Sequence, residues 1–387
     1  MISLESLYAR LHDLGVEFVT GVPDTLLNDF CLGLDDAWPA SKHIVAANEG
    51  NAIALAAGYH LATDTVPLVY MQNSGIGNAI NPLISLVDPM VYSIPLVMII
   101  GWRGEPGTAD WPQHQRQGLL SPVLLEALDI PFRVLRSTQE AVLADAAWAV
   151  STASRSHAPT ALLVPKGVLA LEEKAGTTSN PNEYELSREE ASRILVSSLP
   201  SSATFLASTG RISRELFAIR EEQGQSHEQD FLNVGAMGHL LSIGSGAAVA
   251  RPDIDVVCLD GDGAAIMHLG SLAVTANQPL TNLLHIVLNN GAHESVGGQP
   301  TVGHAADLEG IASAAGFATP GSKVQTATQL RECLQGMMDE EGPAFIEVCV
   351  RKGMRAEMPK LQFDLLESRR NFTNRLLDQR KLLGKNE

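Results

Sequence analysis

Two short segments carry the residues best suited to chemistry. One reads Asp255-Val-Val-Cys-Leu-Asp260-Gly261-Asp262-Gly263-Ala264, the other Leu283-Leu-His-Ile-Val-Leu-Asn289-Asn290-Gly291. Each is an apolar run that reads as a strand with polar residues delivered at its carboxyl end. Glycines there let the backbone approach a ligand closely, and Ala264 opens a helix whose free N–H groups suit a diphosphate. Asp262 offers a carboxylate and Asn290 an amide oxygen. With a backbone carbonyl, water and diphosphate oxygens, they complete an octahedral set of hard ligands for Mg²⁺. Gly-Asp-Gly alone is a common turn. Its meaning comes from Asn289-Asn290, which follows after 25 residues (264–288) on the end of a second strand.

Gly-Asp-Gly and Asn-Asn at this spacing resemble the fingerprint of thiamine-diphosphate-dependent enzymes. The resemblance implies thiamine diphosphate and Mg²⁺ as cofactors, with Asp262, Asn290 and the carbonyl of Ala292 as the protein's metal ligands. It also implies a glutamate beside the cofactor's aminopyrimidine, supplied by the other half of the chain. The segment Val45-Ala46-Ala47-Asn48-Glu49-Gly50-Asn51-Ala52 matches that pattern, an acidic residue opening an Ala-rich helix with Gly58-Tyr59 further along. Alone, Glu49 reads as a partner for the helix dipole. With the metal motif, it becomes the acid that hydrogen-bonds the pyrimidine and governs its proton. Further segments resemble the family's cofactor cradle. In Gly235-Ala236-Met237-Gly238, the Gly235 carbonyl is expected to take the pyrimidine amino group and Met237 to wedge the cofactor. Ser208 and Thr209 are expected to contact the diphosphate with Gly261, Gly263 and Ala264, and Asn73, Ser74, Gly75 and Asn78 to line the pyrimidine pocket.

Larger thiamine decarboxylases carry a third, central α/β domain, and this chain has only a short polar stretch in that place. It therefore resembles the compact branch, the phosphonopyruvate and sulfopyruvate decarboxylases, over nearly its whole length. Gly21-Val22-Pro23-Asp24, Gly101-Trp102-Arg103-Gly104, Pro112-Gln113-His114-Gln115, Met237-Gly238-His239 and Glu294-Ser295-Val296-Gly297-Gly298-Gln299 carry the likeness. The sequence departs from that branch at Val296 in place of Thr, at Asn289 where Asp is frequent, and at Ala292-His293. The branch implies decarboxylation of a small anionic 2-oxo acid, phosphonopyruvate first, as in phosphonate biosynthesis. Sulfopyruvate, another 2-oxo acid, or a synthase reaction is the alternative. A phosphonate needs charge-assisted donors; Arg103, His114, Arg116, His239 and His293 are the candidates. Asp24 and Glu294, with Glu49 and His114, are the candidate catalytic groups, Asp24 or Glu294 returning the proton that releases the aldehyde. A nucleotide-binding regulatory protein that uses Gly-Asp-Gly only as a phosphate turn is the non-enzyme reading, and it gives Glu49 no role.

These residues must be held by regular elements, and the chain alternates short apolar runs with helical patterns. Runs at 17–20, 66–71, 95–100, 132–135 and 160–164, then 203–207, 255–259, 283–288 and 345–350, read as strands separated by helices. That rhythm indicates βαβ units and parallel sheets. Ser137-x-x-Glu140 and Ser187-x-x-Glu190 read as capping boxes that open helices. Between the halves, 171–186 is polar and aperiodic. The expected fold is therefore α/β, two doubly wound parallel-sheet domains of the thiamine-diphosphate-binding type without a central third domain. The expected boundaries are a pyrimidine-binding domain over 1–170, a linker over 171–186, a diphosphate- and Mg-binding domain over 187–359, and a C-terminal amphipathic helix over 360–387. In such sheets ligands sit beyond the carboxyl ends of strands, where every motif above falls.

Composition narrows the class further. The 387 residues are 45% hydrophobic and 18% charged with 33 glycines, ordinary for an α/β protein. A net charge of −17 gives no electrostatic support for binding nucleic acid or an anionic membrane. Any anionic substrate must be met by local cations. The four cysteines show no Cys-x-x-Cys spacing and fit reduced thiols. Leu4, Leu7, Leu11 and Leu14 make an amphipathic helix rather than a signal peptide, so a cytoplasmic location is expected. The resemblance further implies a homodimer or higher homo-oligomer, with the pyrimidine half of one subunit facing the diphosphate half of another.

Overall fold

The computed structural model describes residues 2–170, 184–337, 342–353, 355 and 364–383. The chain divides into two compact units. One comprises Met1–Thr177 with Ser295–Gln299, the other Thr178–Glu294 with Pro300–Glu387. Most of the expected linker, 171–183, lies outside the described residues.

The first unit holds strands β1 (Val19–Gly21), β2 (His43–Val45), β3 (Leu68–Gln72), β4 (Leu96–Gly101), β5 (Phe132–Val134) and β6 (Pro159–Val164). They form one sheet in the order β2-β1-β3-β4-β6-β5, parallel throughout. Every residue of β4 and β6 is buried, which explains their mostly apolar runs: helices cover both faces. Helices α1 (Leu4–Asp13), α2 (Asn28–Ala37) and α6 (Gln139–Ser156) pack through Leu7, Phe30 and Ala149 into one core. On the other core lie α3 (Glu49–Thr63), α4 (Ile76–Ser85) and α5 (Pro112–Ala127), through Ile53, Ile76 and Leu125.

The second unit repeats the plan with β7 (Thr204–Ala207), β8 (Asp230–Leu232), β9 (Val256–Gly261), β10 (Leu283–Asn289) and β11 (Ala344–Cys349). Their order is β11-β10-β9-β7-β8, again parallel. Helices α7 (Arg188–Ser198), α8 (Arg211–Glu222) and α13 (Ala327–Met337) share one core. Helices α9 (Leu240–Ala250), α11 (Ser271–Ala276) and α12 (Leu308–Ala315) share the other, while the short α10 (Asp262–Met267) follows β9 directly. Both units are doubly wound. In the first the strand order reverses between β1 and β3, in the second between β7 and β9. Ligand crevices form at such reversals, and the loops after these four strands carry Asp24, Asn73, Ser208 and Asp262.

Three readings need adjustment. Strands β2 and β8 were not expected; each is a three-residue edge strand, His43-Ile-Val or Asp230-Phe-Leu, without apolar alternation. Helix α6 is capped by Thr138, whose side chain accepts the Ala141 N–H at 3.3 Å, not by Ser137. The Ser187–Glu190 capping box is present as read. In the C-terminal region α14 spans Leu365–Leu383, and the expected Leu361 and Phe363 fall outside the described residues. Phe372 of α14 lies against Phe231 of the same unit, ring centroids 5.6 Å apart. No helix among the described residues is long and apolar enough to cross a membrane.

Candidate active site

In the first unit, Asn48 caps α3 by accepting the Asn51 N–H at 2.9 Å, which places Glu49 at the first helical position. Glu49 is buried, and Asn78 of α4 donates from Nδ2 to its Oε2 at 2.7 Å. Gly75, in the single turn Asn73–Gly75 after β3, is required by close approach: a Cβ there would stand 2.4 Å from Glu49 Oε1. Ser74 accepts from Gln72 Nε2 at 2.6 Å. Asn73 departs from its expected role. Its Nδ2 donates to the Arg103 carbonyl at 2.8 Å and to Ser121 Oγ at 2.9 Å, and its Oδ1 accepts the Arg103 N–H at 3.2 Å. These bonds brace β3 against the β4 loop and α5.

Beyond β4, Arg103 also departs from expectation. Its guanidinium forms a two-pronged pair with Asp110, Nε to Oδ2 at 2.8 Å and Nη2 to Oδ1 at 2.6 Å. A largely buried guanidinium needs such a partner, and Arg103 is therefore not a cation left free for substrate. Arg103 in turn holds the Asp110 carboxyl well below the usual range, against the effect of burial. Burial, helped by the charge of Arg103, lowers His114 to about 4. His114 thus stays neutral at physiological pH and offers one donor and one acceptor but no charge.

Asp24, in the loop after β1, is 1% exposed, and its Oδ1 has no hydrogen-bond partner. Its Oδ2 accepts the Leu26 N–H at 3.1 Å. A Cβ on Gly101 would meet that oxygen at 1.9 Å, so the carboxyl sits hard against the end of β4. Burial pushes Asp24 up to about 6, although the charge of Arg103 and the N–H groups of Leu26, Thr25 and Leu27 oppose it. A carboxyl raised this far takes up and gives up its proton closer to neutrality than a free aspartate does, which suits proton transfer.

In the second unit, β9 and β10 are registered with Leu288 opposite Gly261, so Asp262 and Asn290 leave neighbouring strand ends. Asp262 is buried and accepts a hydrogen bond from the Thr301 hydroxyl. A Cβ on Gly303 would lie 2.5 Å from Asp262 Oδ2, so the loop closes tightly around the carboxylate. Burial raises the Asp262 carboxyl; Thr301, the backbone N–H groups of Asp262 and Asn290, and His304 oppose this. Asn290 Oδ1 accepts the Ala292 N–H at 3.1 Å, and its Nδ2 donates to Glu294 Oε2 at 2.9 Å. Asn289 is a brace, donating from Nδ2 to the Gly303 carbonyl and to Glu347 Oε1, both at 2.8 Å.

This arrangement fits a divalent cation with a diphosphate. Asp262 is a buried carboxyl whose only side-chain donor among the described residues is a neutral hydroxyl, that of Thr301, and a buried carboxylate is costly without a positive partner. Beside it stand an amide oxygen with a second lone pair and the buried Ala292. No group of three or more His, Cys, Asp or Glu side chains among the described residues is set to hold a metal. The expected ligand set needs only one of these residue types, because amide, carbonyl and diphosphate oxygens supply the rest.

The remaining candidates surround this loop. The His293 ring packs on Gly263, where a Cβ would meet it at 2.7 Å, and burial lowers His293 to about 4. His239 is exposed and stacks on His268 at 4.4 Å between centroids. Met237 is half-buried between Ala236 and Gly238, which take φ of +46° and +86°, a left-handed turn that presents the loop. Gly235 donates its N–H to Asn233 Oδ1 at 3.3 Å. Buried Ser208 accepts from Ser213 Oγ at its carbonyl, 2.8 Å, with Thr209 half-buried beside it and Ala264 buried in α10.

Glu294 differs most from expectation. Rather than a free acid, it accepts from Arg188 Nη1 at 2.5 Å, from Asn290 and from the Gly353 N–H, while Arg211 Nη2 binds its carbonyl at 2.7 Å. Burial raises its carboxyl, but Arg188 and Arg211 outweigh that and hold it below the usual range. Sequence reading missed Asp110, Ser121, Arg188, Arg211, Glu215, His268, Thr301 and His304. Most act through partners far along the chain, which no local spacing reveals.

Two family models match the chain. One is described as thiamine pyrophosphate enzyme, N-terminal TPP binding domain, over residues 3–125, and the other as its C-terminal TPP binding domain, over 209–348. The chain is 35% identical over 377 residues to a phosphonopyruvate decarboxylase of Streptomyces hygroscopicus, covering 94% of this chain and 91% of that protein. It is 35% identical over 368 residues to a phosphonopyruvate decarboxylase of Streptomyces viridochromogenes, covering 91% and 89%. A sulfopyruvate decarboxylase of Methanosarcina acetivorans is 28% identical over 390 residues, covering 94% of each.

Proposed function

The chain belongs to the thiamine pyrophosphate enzymes, and we propose that within this family it decarboxylates phosphonopyruvate to phosphonoacetaldehyde and CO₂, with thiamine diphosphate and Mg²⁺. The observation that carries this reading is the likeness, over nearly the full chain, to phosphonopyruvate decarboxylases. Thiamine diphosphate, when bound, supplies the electron sink for the carbon–carbon bond that breaks. Asp262 and Asn290, with the Ala292 carbonyl, would hold the cation, and Gly261, Gly263, Ala264, Ser208 and Thr209 would receive the diphosphate. Gly235 and Met237 would orient the cofactor from the turn after β8.

Glu49 would hold and return a proton at Oε1, its Oε2 being fixed by Asn78. Asp24 would deliver the proton that replaces the lost carboxylate, from the carboxyl that burial keeps protonated to about 6. Because the chain carries a net charge of −17, the substrate's two anionic groups depend on local donors. His114, His239 and His293 would supply N–H groups, and Arg103 a positive field from within its pair with Asp110. We also propose a homodimer or higher homo-oligomer, a cytoplasmic location and a place in phosphonate biosynthesis.

The sulfopyruvate decarboxylase relative, 28% identical over 94% of this chain, favours one second reading, sulfopyruvate decarboxylation. Turnover of phosphonopyruvate, sulfopyruvate and pyruvate, followed by CO₂ and aldehyde formation with cofactor present, separates the two. Phosphonopyruvate is expected to show the highest kcat/KM. A higher value for sulfopyruvate transfers the assignment to the second reading, and no CO₂ from any of them rejects both.

A further inference from the structure

An asparagine that must present its oxygen to a metal has a geometric problem. Its Oδ1 and Nδ2 are nearly the same size, so the amide needs outside contacts to set which one faces the cation. In the second unit those contacts are present. The Ala292 N–H points at Asn290 Oδ1 at 3.1 Å, and Glu294 Oε2 accepts from Asn290 Nδ2 at 2.9 Å. Turning the amide over would set oxygen against carboxylate and NH₂ against N–H, two repulsive contacts in place of two attractive ones.

Glu294 is itself held. The same Oε2 accepts from Arg188 Nη1 at 2.5 Å, and Oε1 accepts the Gly353 N–H. Arg211 reaches the Glu294 carbonyl at 2.7 Å and stands 3.4 Å from Oε1. Arg188 is buried and grips Glu215 with two further bonds, Nε to Oε2 at 2.7 Å and Nη2 to Oε1 at 2.5 Å. Two guanidinium groups and two carboxylates balance in charge, so the cluster can sit beside a cation without an unpaired charge of its own.

We infer that Glu294 is a positioning residue: braced by Arg188, it fixes the Asn290 amide so that Oδ1 faces the metal. The inference rests on the proposed metal set of Asp262 and Asn290. It replaces the role expected for Glu294 as a proton donor, since both carboxylate oxygens already accept hydrogen bonds, Oε2 from Arg188 and Asn290 and Oε1 from the Gly353 N–H. Residues that orient a metal ligand typically change metal affinity by about ten- to a hundredfold when altered.

The test titrates cofactor-free full-length protein with Mg²⁺ at fixed thiamine diphosphate, following binding by calorimetry rather than turnover. Asp262→Ala should lose Mg²⁺-dependent binding; if it keeps the wild-type Mg²⁺ requirement, the metal reading fails and this inference with it. With Asp262→Ala behaving as expected, Glu294→Gln should raise the Mg²⁺ requirement about tenfold or more. Asn290→Asp should weaken binding, because its carboxylate faces Glu294. The swap Asn290→Asp with Glu294→Gln should recover about tenfold of that loss, since the glutamine amide can donate to the aspartate. A purely structural role would not produce such recovery. A wild-type Mg²⁺ requirement in Glu294→Gln, or a swap no better than Asn290→Asp, overturns the inference while leaving the metal reading intact. Should Glu294→Gln not fold, Arg188→Lys keeps the charge but lacks the fork that reaches both carboxylates. It should raise the Mg²⁺ requirement severalfold, and an unchanged requirement overturns the inference equally.

Discussion

Two buried carboxyls of the first unit separate by the contacts they keep. Glu49 has a donor in Asn78, whereas Asp24 leaves Oδ1 without one. Burial pushes Asp24 up to about 6. The folded state therefore binds a proton at Asp24 more tightly than the unfolded chain does. Stability from this group is full below about 4 and is lost as pH rises through about 6. A shift of this size corresponds to roughly 2–3 kcal/mol. Asp24→Asn should accordingly be more stable than wild type by about that much at pH 8, with the difference vanishing near pH 4. Urea unfolding of cofactor-free protein at the two pH values checks it, and a constant difference rejects the burial argument. For Glu49→Gln the expectation is loss of turnover with cofactor binding retained; near-normal CO₂ release in that variant removes the proton role. Glu49, Asp24, Asp262 and Asn290 stood out as candidates because each lies just past a strand or opens a helix within a recognisable motif. Sequence could not expose Asp110 as the partner of Arg103, or Glu215 and Glu294 as partners of Arg188, because those pairs lie 7, 27 and 106 residues apart with no periodicity to join them.

Among elements, most of the strands that were legible are buried ones, where two covered faces demand continuous apolar residues, while the exposed edge strand β5 showed itself by the alternation Phe132-Arg133-Val134. β2 and β8 were not, since each opens on a polar residue, His43 or Asp230, followed by two apolar ones, and so shows no alternation. Helix starts divide the same way. Ser187 with Glu190 forms a true reciprocal box, but in Ser137-Thr138 two adjacent hydroxyls compete and the backbone places Thr138 at the cap. Thr138→Ala should then cost about 1 kcal/mol of stability and Ser137→Ala close to nothing, as measured by chemical denaturation; the opposite order would restore Ser137 as the cap. The turn after β3 is similarly determined by one atom's room. Gly75→Ala drives a methyl into Glu49 Oε1, only 2.4 Å away, and both partners sit on packed elements. Turnover should fall at least tenfold in Gly75→Ala, a loss of about 1.4 kcal/mol or more in the activation barrier, with the helical circular dichroism unchanged. Full activity would show that Glu49 is free to move.

For the molecule as a whole, the two-unit plan was readable because the strand–helix rhythm stops and then restarts. Each unit keeps its own pair of cores. What the pattern could not supply is the destination of apolar side chains left outside those cores. In the first unit Met90 is 94% exposed, Tyr92 68% and Leu61 70%, with Ile84 also uncovered. The proposed homo-oligomer would give such exposed large apolar groups a use. If assembly and cofactor binding are linked, anything that binds only the assembled form stabilises it by mass action, about 2.7 kcal/mol at a hundredfold excess over Kd. The rise in melting temperature on adding thiamine diphosphate and Mg²⁺ should therefore increase with protein concentration. Tyr92→Asp buries a charge wherever that residue is covered, so it should shift sedimentation velocity toward smaller species and weaken cofactor binding together. If Tyr92→Asp sediments and binds as wild type does, Tyr92 is no part of the assembly. If the melting shift stays independent of protein concentration, binding does not require a second copy.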